Sequence, residues 1–369
     1  MQSLVAINPN KKDAFDYTEL GTVQFGQEEV LVGLIDLEKP NFDPEEEKNR
    51  EHVLVKVRAF SCNYRDKALL VENYSSIQRT DRLFVPFGSE FSAEIVAVGS
   101  AVSDFQVGDI VMSDCAYPYS GREGVMPGVA TNFASMGWLR LHKNKLIKKP
   151  GTLSDSEAAC FSLGAQTASG MIRRSGILEQ GGTPLVLSSR SNTSLFIIQQ
   201  LLARGITPVC LSTSEWTEKE QQAIQPSRVE SVKAALENFR NDTGKEAVTH
   251  VFDPFYDMNI GYGLYFLQHG GTYITCGIRD QHPKLSQETP KDAEATVRGA
   301  LEMSIVKNVS IMGNCLGSRE DLEGAIQLQD ATDRKIILDQ EYEVKDGVDF
   351  VQRSFFDSTR FGKCVLVYA

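Results

Sequence analysis

A run of hydroxyl and amide side chains, LSSRSNTSLF at 187–196, separates a strand-like segment from a helix-like one. A dinucleotide-binding turn at such a place normally has glycines, which allow a tight reversal and close approach of the backbone to a pyrophosphate. Serine, asparagine and threonine instead cap helices and can hydrogen-bond a phosphate at a helix N-terminus. The stretch therefore fits a phosphate-binding turn with altered side chains, or a capped helix without a ligand. The candidate phosphate-binding residues are Ser189, Ser191, Asn192 and Thr193.

A second polar stretch, CLSTSEWTEK at 210–219, follows the next predicted strand. NAD-binding folds have an acidic residue here for the ribose 2′-hydroxyl, and an NADP site must lack that charge. Ser212, Thr213 and Ser214 are neutral hydroxyl donors, and Lys219 is close to them in sequence. If a dinucleotide binds, this pattern favours NADPH over NADH, and an ordinary polar loop is the alternative.

The elements that must position these side chains change character along the chain. Segments 28–37 and 52–60 alternate or run apolar, as strands do. Later, apolar runs such as 183–189 and 207–213 flank the helical run 194–205. Strands that alternate with helices predict an α/β fold with a doubly wound parallel sheet.

Composition and charge limit the possible functions. A length of 369 residues favours two domains, and a net charge of −11 disfavours nucleic acid or an anionic membrane as the main partner. The seven cysteines include no CxxC pair, which favours free thiols in a reducing compartment. We find neither a signal-peptide apolar core at the start nor an apolar run of about 20 residues, so a cytoplasmic enzyme or binding protein is expected.

Six stretches follow one another in a characteristic order. They are CNYRD (62–66), PFGSEFSAEIVAVGSAVSDFQVGDIV (86–111), SLGAQTA (162–168), VTHVFDPF (248–255), GGTYITCG (270–277) and FGKCVLV (361–367). In this order the chain resembles the medium-chain dehydrogenase/reductase superfamily, in its zinc-free quinone oxidoreductase and enoyl reductase branch. The family's turn glycines fall at Ser188, Ser191 and Ser194.

The resemblance implies a particular domain organisation. A GroES-like β domain would span 1–156 and be completed by 320–369, with a Rossmann domain over 157–319. The active site would lie in the cleft between them. Relatives pair the last Rossmann strand of two subunits, so a homodimer through 308–313 is expected.

Relatives with catalytic zinc bind it through a cysteine, a histidine and a second cysteine. The matching positions here are Asn63, Ser89 and Leu163. Asparagine and serine are poor zinc ligands, and leucine is no ligand. A zinc site shifted to Cys62, Cys160 and Glu90 is the alternative. Without zinc there is no Lewis acid to lower an alcohol's pKa, so the sequence favours reduction of a polarised C=C bond.

That reduction needs a hydride on Cβ, a proton on Cα and stabilisation of an enolate. In enoyl thioester reductases a tyrosine occurs at the spacing of Tyr74, which we therefore predict as proton donor or hydrogen-bond partner of the enolate, with a surface tyrosine as the alternative. By the same resemblance Asn63, Tyr64 and Arg65 lie close to the reaction. The further cofactor contacts that the resemblance implies are Thr167, Cys276, Gly277 and Lys363.

One combination of stretches is more specific. It consists of SCNYRDKALL, PFGSEF, GVATNFAS, SLGAQT and SRSNTSLF. It is similar to dehydroalanine reductases of lanthipeptide biosynthesis, which convert dehydroalanine residues of a peptide to D-alanine. The resemblance implies NADPH-dependent, zinc-independent reduction of dehydroalanine in a lanthipeptide precursor. The alternatives are a small-molecule quinone or enone reductase and a non-catalytic NADPH-binding protein.

Overall fold

The computed structural model describes residues 1–226, 228–235, 247–279, 282, 284–285, 290–332 and 334–368. The chain separates into two compact units, formed by 1–163, 280–286 and 338–369, and by 164–279 and 287–337. The C-terminal segment of the first unit thus begins at 338, whereas the sequence predicted that it begins at 320. The reason is that the helix Arg319–Asp330 packs on the helix Asn192–Ala203 of the second unit.

The first unit is built from two sheets. One has four strands, in the spatial order Thr18–Phe25, Glu28–Asp36, Gln2–Ile7 and Phe84–Val85. The other has the order Leu338–Glu343, Lys363–Val367, His52–Ser61, Glu90–Val98, Ile110–Ser113 and Leu146–Lys148, and Trp138–His142 also pairs with His52–Ser61. Its pairs are antiparallel except the first, and Ser61 lies opposite Glu90. His52–Ser61 is almost entirely buried because it has neighbours on both sides and lies in the core.

Helices cover these sheets. The helices of the first unit are Tyr64–Ile77, Asp155–Ala158 and Gly347–Phe355, with 3₁₀ turns at Glu47–Asn49, Ala134–Met136, Lys143–Lys145 and Val344–Asp346. A further helix, Ser162–Ser175, begins in the first unit and continues in the second.

Among the residues that the structure describes, the second unit contains six parallel strands. Their spatial order is Arg228–Ser231, Val209–Ser212, Thr183–Val186, Val248–Asp253, Leu267–Thr275 and Ser310–Gly313. Numbered along the unit, this is the order 3-2-1-4-5-6 of a dinucleotide-binding sheet. Its further helices are Ile177–Gln180, Asn192–Ala203, Glu218–Ile224, Tyr256–Phe266, Pro290–Lys307 and Arg319–Asp330. The predicted doubly wound parallel sheet beside a separate β domain is confirmed.

Ser310–Gly313 forms one edge of this sheet among the described strands. Apolar side chains nearby are exposed, with Leu301 at 55%, Ile305 at 79% and Val306 at 72%. Contiguous exposed apolar side chains are typical of an interaction surface. We call these three residues the edge surface.

No helix in the described part of the chain combines the length and apolar character needed to cross a membrane.

Candidate active site

The strand order of the second unit changes direction beside Thr183–Val186, which places a ligand crevice at the carboxyl ends of that strand and Val248–Asp253. Ser188 follows the first strand with φ of 45°, in the left-handed region that favours glycine. Asn259 Nδ2 supports this conformation by donating to Ser188 Oγ at 2.9 Å and to the buried Asp253 Oδ1 at 2.8 Å. The serine therefore keeps the tight turn that a glycine normally makes.

The helix after this turn begins with two different uses of polar side chains. Ser191 caps it, because its Oγ accepts from the backbone N–H of Ser194 at 3.3 Å. Asn192, in the first turn, has a buried Nδ2 without a hydrogen-bond partner among the described residues. A buried donor left unpaired is costly, and a helix N-terminus attracts anions. Asn192 and the neighbouring, half-buried Thr193 thus fit a pyrophosphate.

Two predicted cofactor residues point elsewhere. Ser189 is fully buried, and its Oγ accepts from Trp216 Nε1 at 3.1 Å while its backbone N–H continues the sheet ladder to Leu211. Ser212 is also buried and donates to the carbonyl of Ser214. Both hydroxyls thus have partners within the turns, and phosphate contacts of Ser189 and Ser212 remain predictions.

Arg190 is a candidate cofactor residue that was not predicted from the sequence. Its Nη1 donates to Ser214 Oγ at 2.8 Å and its Nη2 to Glu220 Oε1 at 2.5 Å, with 15% of the side chain exposed. It therefore links the phosphate turn to the loop after the second strand, where the exposed Thr213 lies, and to the helix Glu218–Ile224, which contains the exposed Lys219. An arginine at this place suits a 2′-phosphate. The sequence feature that could have indicated this role is the position of Arg190, a cation within the predicted phosphate turn.

The strand Leu267–Thr275 ends beside the same crevice. Thr275 Oγ1 is buried without a partner among the described residues, and it was not predicted. Burial raises the pKa of the Cys276 thiol to about 12, so that side chain stays neutral. Gly277 is needed because a Cβ there would come within 2.6 Å of the Pro254 carbonyl oxygen. The unpartnered Thr275 hydroxyl fits a nicotinamide carboxamide, and the contact of the buried Thr167 with the cofactor remains a prediction.

The first unit contains a buried group of residues that we call the polar cluster: Ser61, Asn63, Glu90 and Lys363. Lys363 Nζ lies 2.7 Å from Asn63 Oδ1, 2.7 Å from the Cys62 carbonyl oxygen, 3.2 Å from Ser61 Oγ and 3.3 Å from Glu90 Oε2. Lys363 is 3% and Glu90 0% exposed. These acceptors engage the ammonium group within the cluster, and the contact of Lys363 with the cofactor remains a prediction.

The three positions that match zinc ligands do converge here. Asn63 Nδ2 lies 3.3 Å from Ser89 Oγ, and the Leu163 backbone N–H donates to Glu90 Oε1 at 2.8 Å. An ammonium group in contact with Asn63 and Glu90 is incompatible with a cation at the same place, and zinc prefers thiolate and imidazole ligands. The residues present do not fit a zinc ion.

A shifted metal site is not supported by the nearby thiols either. Burial raises the pKa of Cys62 and of Cys160 well above the usual range, so both stay protonated. Within the part of the chain that the structure describes, no group of three or more histidine, cysteine, aspartate or glutamate side chains could hold a metal ion.

Tyr74 corrects the predicted proton donor. It lies on the helix Tyr64–Ile77 with 1% exposure, on the face that buries Leu70 and Ile77. Its hydroxyl accepts from the backbone N–H of Leu31 at 3.1 Å, and burial raises its pKa. The prediction is wrong because Tyr74 is a core residue of the first unit.

The start of the same helix carries the remaining predicted residues. Asn63 is its N-cap, and its backbone N–H donates to the Asp66 carboxylate at 2.8 Å. Arg65 Nη1 donates to Asp66 Oδ1 at 3.1 Å and to Asn132 Oδ1 at 2.9 Å. Tyr64 is half-buried directly after Asn63. The helix start thus pairs Arg65 with Asp66 and with Asn132, an unpredicted neighbour, and Tyr64 follows Asn63 of the polar cluster in sequence.

Comparisons with known proteins support this organisation. Residues 49–154 match the family model of the alcohol dehydrogenase GroES-like domain. An acryloyl-coenzyme A reductase of Metallosphaera sedula is 26% identical over 75% of this chain and 80% of its own length. A crotonyl-CoA reductase of Streptomyces avermitilis is 26% identical over 66% of this chain and 64% of its own length.

Solved structures share the fold at low sequence identity. An NAD-dependent alcohol dehydrogenase superposes with a TM-score of 0.73 at 18% identity, over 96% of this chain and all of its own. A crotonyl-CoA carboxylase/reductase in complex with NADP superposes with a TM-score of 0.71 at 17% identity, over 99% and 95% of the two chains. The chain therefore shares the fold of these dehydrogenases and reductases, and its residues 49–154 are similar to an alcohol dehydrogenase GroES-like domain.

Proposed function

We propose that this protein is an NADPH-dependent reductase of an activated C=C bond. The observation that carries the proposal is the buried, unpartnered Asn192 amide at the first helix turn of a 3-2-1-4-5-6 sheet, which fits a dinucleotide phosphate. The names of the relatives, acryloyl- and crotonyl-CoA reductases, support the type of reaction.

The second unit binds the cofactor in this proposal. Asn192 and Thr193 bind the pyrophosphate, and Thr275 donates to the carboxamide. Arg190 and the exposed Ser214 bind the 2′-phosphate, which selects NADPH over NADH because the phosphate adds negative charge beside a guanidinium. NADPH, when bound, supplies the hydride.

The first unit activates the substrate. Hydride addition to Cβ leaves negative charge on the activating carbonyl, which needs a hydrogen-bond donor or a cation nearby. Tyr64 is half-buried and directly follows Asn63 of the polar cluster, and in this proposal it takes the role of proton donor to Cα that was predicted for Tyr74. Arg65, held by Asp66 and Asn132, contributes positive charge at the same helix start.

Two substrates compete within this reaction class. We propose a dehydroalanine residue in a peptide, because the combination of CNYRD, GVATNFAS and SRSNTSLF resembles dehydroalanine reductases. The names of the relatives favour an α,β-unsaturated acyl thioester as the second candidate. Both are alkenes conjugated to a carbonyl, so the same residues serve either one.

A substrate panel separates these candidates. Purified protein with NADPH or NADH is given a dehydroalanine peptide, acryloyl-CoA, crotonyl-CoA, an enone and a quinone, and cofactor oxidation is followed with product mass. We expect turnover with NADPH and the dehydroalanine peptide. Turnover with the thioesters alone would refute the dehydroalanine substrate but would support NADPH-dependent reduction of an activated C=C bond. NADPH binding without oxidation on any alkene would refute the enzymatic proposal and favour a non-catalytic protein.

A further inference from the structure

The side-chain amide of Asn63 has a defined polarity. Lys363 Nζ lies 2.7 Å from Asn63 Oδ1, so the carbonyl end of the amide faces the ammonium. The reverse orientation would place N–H donors against a group that has donors only. The polarity of the amide is therefore set by Lys363.

The nitrogen end of this amide is weakly engaged. Asn63 Nδ2 lies 3.3 Å from Ser89 Oγ and 3.4 Å from Glu90 Oε2, beyond the usual range of about 2.7–3.2 Å for N–H···O bonds. Asn63 is only half-buried, whereas the other three members of the polar cluster are buried. The Asn63 N–H groups are therefore the donors of the cluster that remain available to a ligand.

The ion pair strengthens this donor. Lys363 and Glu90 are both buried, so their charges are poorly screened by water. A cation bound to the amide oxygen polarises the amide and makes its N–H groups stronger donors. Glu90 is itself fixed by the backbone N–H of Leu163 at 2.8 Å, which keeps Lys363 in place.

We propose that Asn63 Nδ2 donates to the oxyanion of the reaction and that Lys363 is the residue that positions and polarises it; this inference rests on the proposed function. NADPH, when bound, would supply a hydride to Cβ, and the electron pair of the C=C bond would move onto the activating carbonyl as an enolate. Asn63 Nδ2 donates to the enolate oxygen. Cα then takes a proton from the Tyr64 hydroxyl, the C=O bond reforms, NADP⁺ remains, and Tyr64 regains a proton from water.

The first test removes the donor and keeps the shape. Asn63→Asp retains an acceptor for Lys363 and a good helix N-cap, but it has no N–H to donate. We expect kcat to fall about 10²–10³-fold, as for the loss of one oxyanion donor, with the NADPH Kd unchanged. Asn10→Asp is the matched control, because it makes the same chemical change at an exposed position of the first unit.

The second test addresses positioning. Lys363→Met combined with Glu90→Gln removes both buried charges together, so no unpaired charge is left in the core. We expect a folded protein by circular dichroism with a kcat that falls as in Asn63→Asp while the substrate KM changes little. An unchanged kcat in this double variant would overturn the role of Lys363.

A third measurement needs no substrate. Nuclear Overhauser effects from the Asn63 Nδ2 protons should reach the Ser89 side chain and not the ε-methylene of Lys363. The opposite pattern would overturn the proposed amide polarity. If the parent protein reduces no alkene, the proposed function and the oxyanion role both fail. Parental turnover with an unaffected Asn63→Asp refutes the oxyanion role alone.

Discussion

Replacement of Arg190 tests how the protein selects its cofactor. The guanidinium reaches from the phosphate turn to the loop after the second strand, where it donates to Ser214 and pairs with Glu220. A hydrogen bond to a charged group contributes about 1.5–3 kcal/mol, and about 1.4 kcal/mol is a factor of ten in affinity. Arg190→Gln should therefore raise the NADPH Kd roughly 10- to 150-fold, and the NADH Kd should hardly change because NADH has no 2′-phosphate.

Fluorescence titration of both cofactors measures this effect. Arg319→Gln is the matched control, because Arg319 pairs with Glu323 on another helix of the same unit. The reasoning is refuted if Arg190→Gln weakens NADPH and NADH equally, since that result would give Arg190 only a structural role in the turn.

Further predictions concern stability, pH, metal and assembly. Tyr74→Phe removes the acceptor of the buried Leu31 N–H and should cost about 1–3 kcal/mol of unfolding free energy in denaturant titration, with kcat unchanged; a large loss of kcat would restore Tyr74 as a proton donor. The hydrogen bond from Lys284 lowers the pKa of Glu28 in the folded protein below the value of about 4.3 in the unfolded chain. The ionised Glu28 therefore stabilises the fold above about pH 4.3, and this contribution to the unfolding free energy is lost as the pH falls through the folded-state pKa. Lys284→Met should weaken that acid dependence, and an identical pH profile of unfolding would contradict it. Dialysis against a chelator should leave turnover intact, whereas loss of activity restored by zinc would contradict the reading of the polar cluster. Light scattering should find a homodimer that Ile305→Lys in the edge surface disrupts, and a monomeric parent would end the dimer proposal.

The second unit shows how far local patterns lead. The strand and helix alternation predicted the sheet, and the serine turn kept its shape because Ser188 adopts a glycine conformation. Contacts between distant segments escaped prediction. Arg190 and Ser214 are 24 residues apart and meet only because their strands are parallel neighbours.

In the first unit, the burial of Tyr74 could have been predicted from the sequence, whereas the contacts of Lys363 could not. Leu70, Tyr74 and Ile77 have helical spacing, so the pattern was sufficient to predict that Tyr74 is buried, but Tyr74 was predicted as a proton donor, with a surface tyrosine as the alternative. The approach of Lys363 to Asn63 and Glu90 spans 300 and 273 residues and depends on the pairing of two strands. No local pattern encodes such a contact.

The central claim is hydride transfer from NADPH to Cβ of a conjugated alkene. The most direct measurement uses NADPH deuterated at the transferred position, with the dehydroalanine peptide and the acyl thioesters as acceptors and mass spectrometry with NMR of the product. Hydride transfer to Cβ predicts a product with one deuterium at Cβ and a solvent-derived proton at Cα. A product with deuterium at Cα, or consumption of NADPH without deuterium in any product, would contradict it.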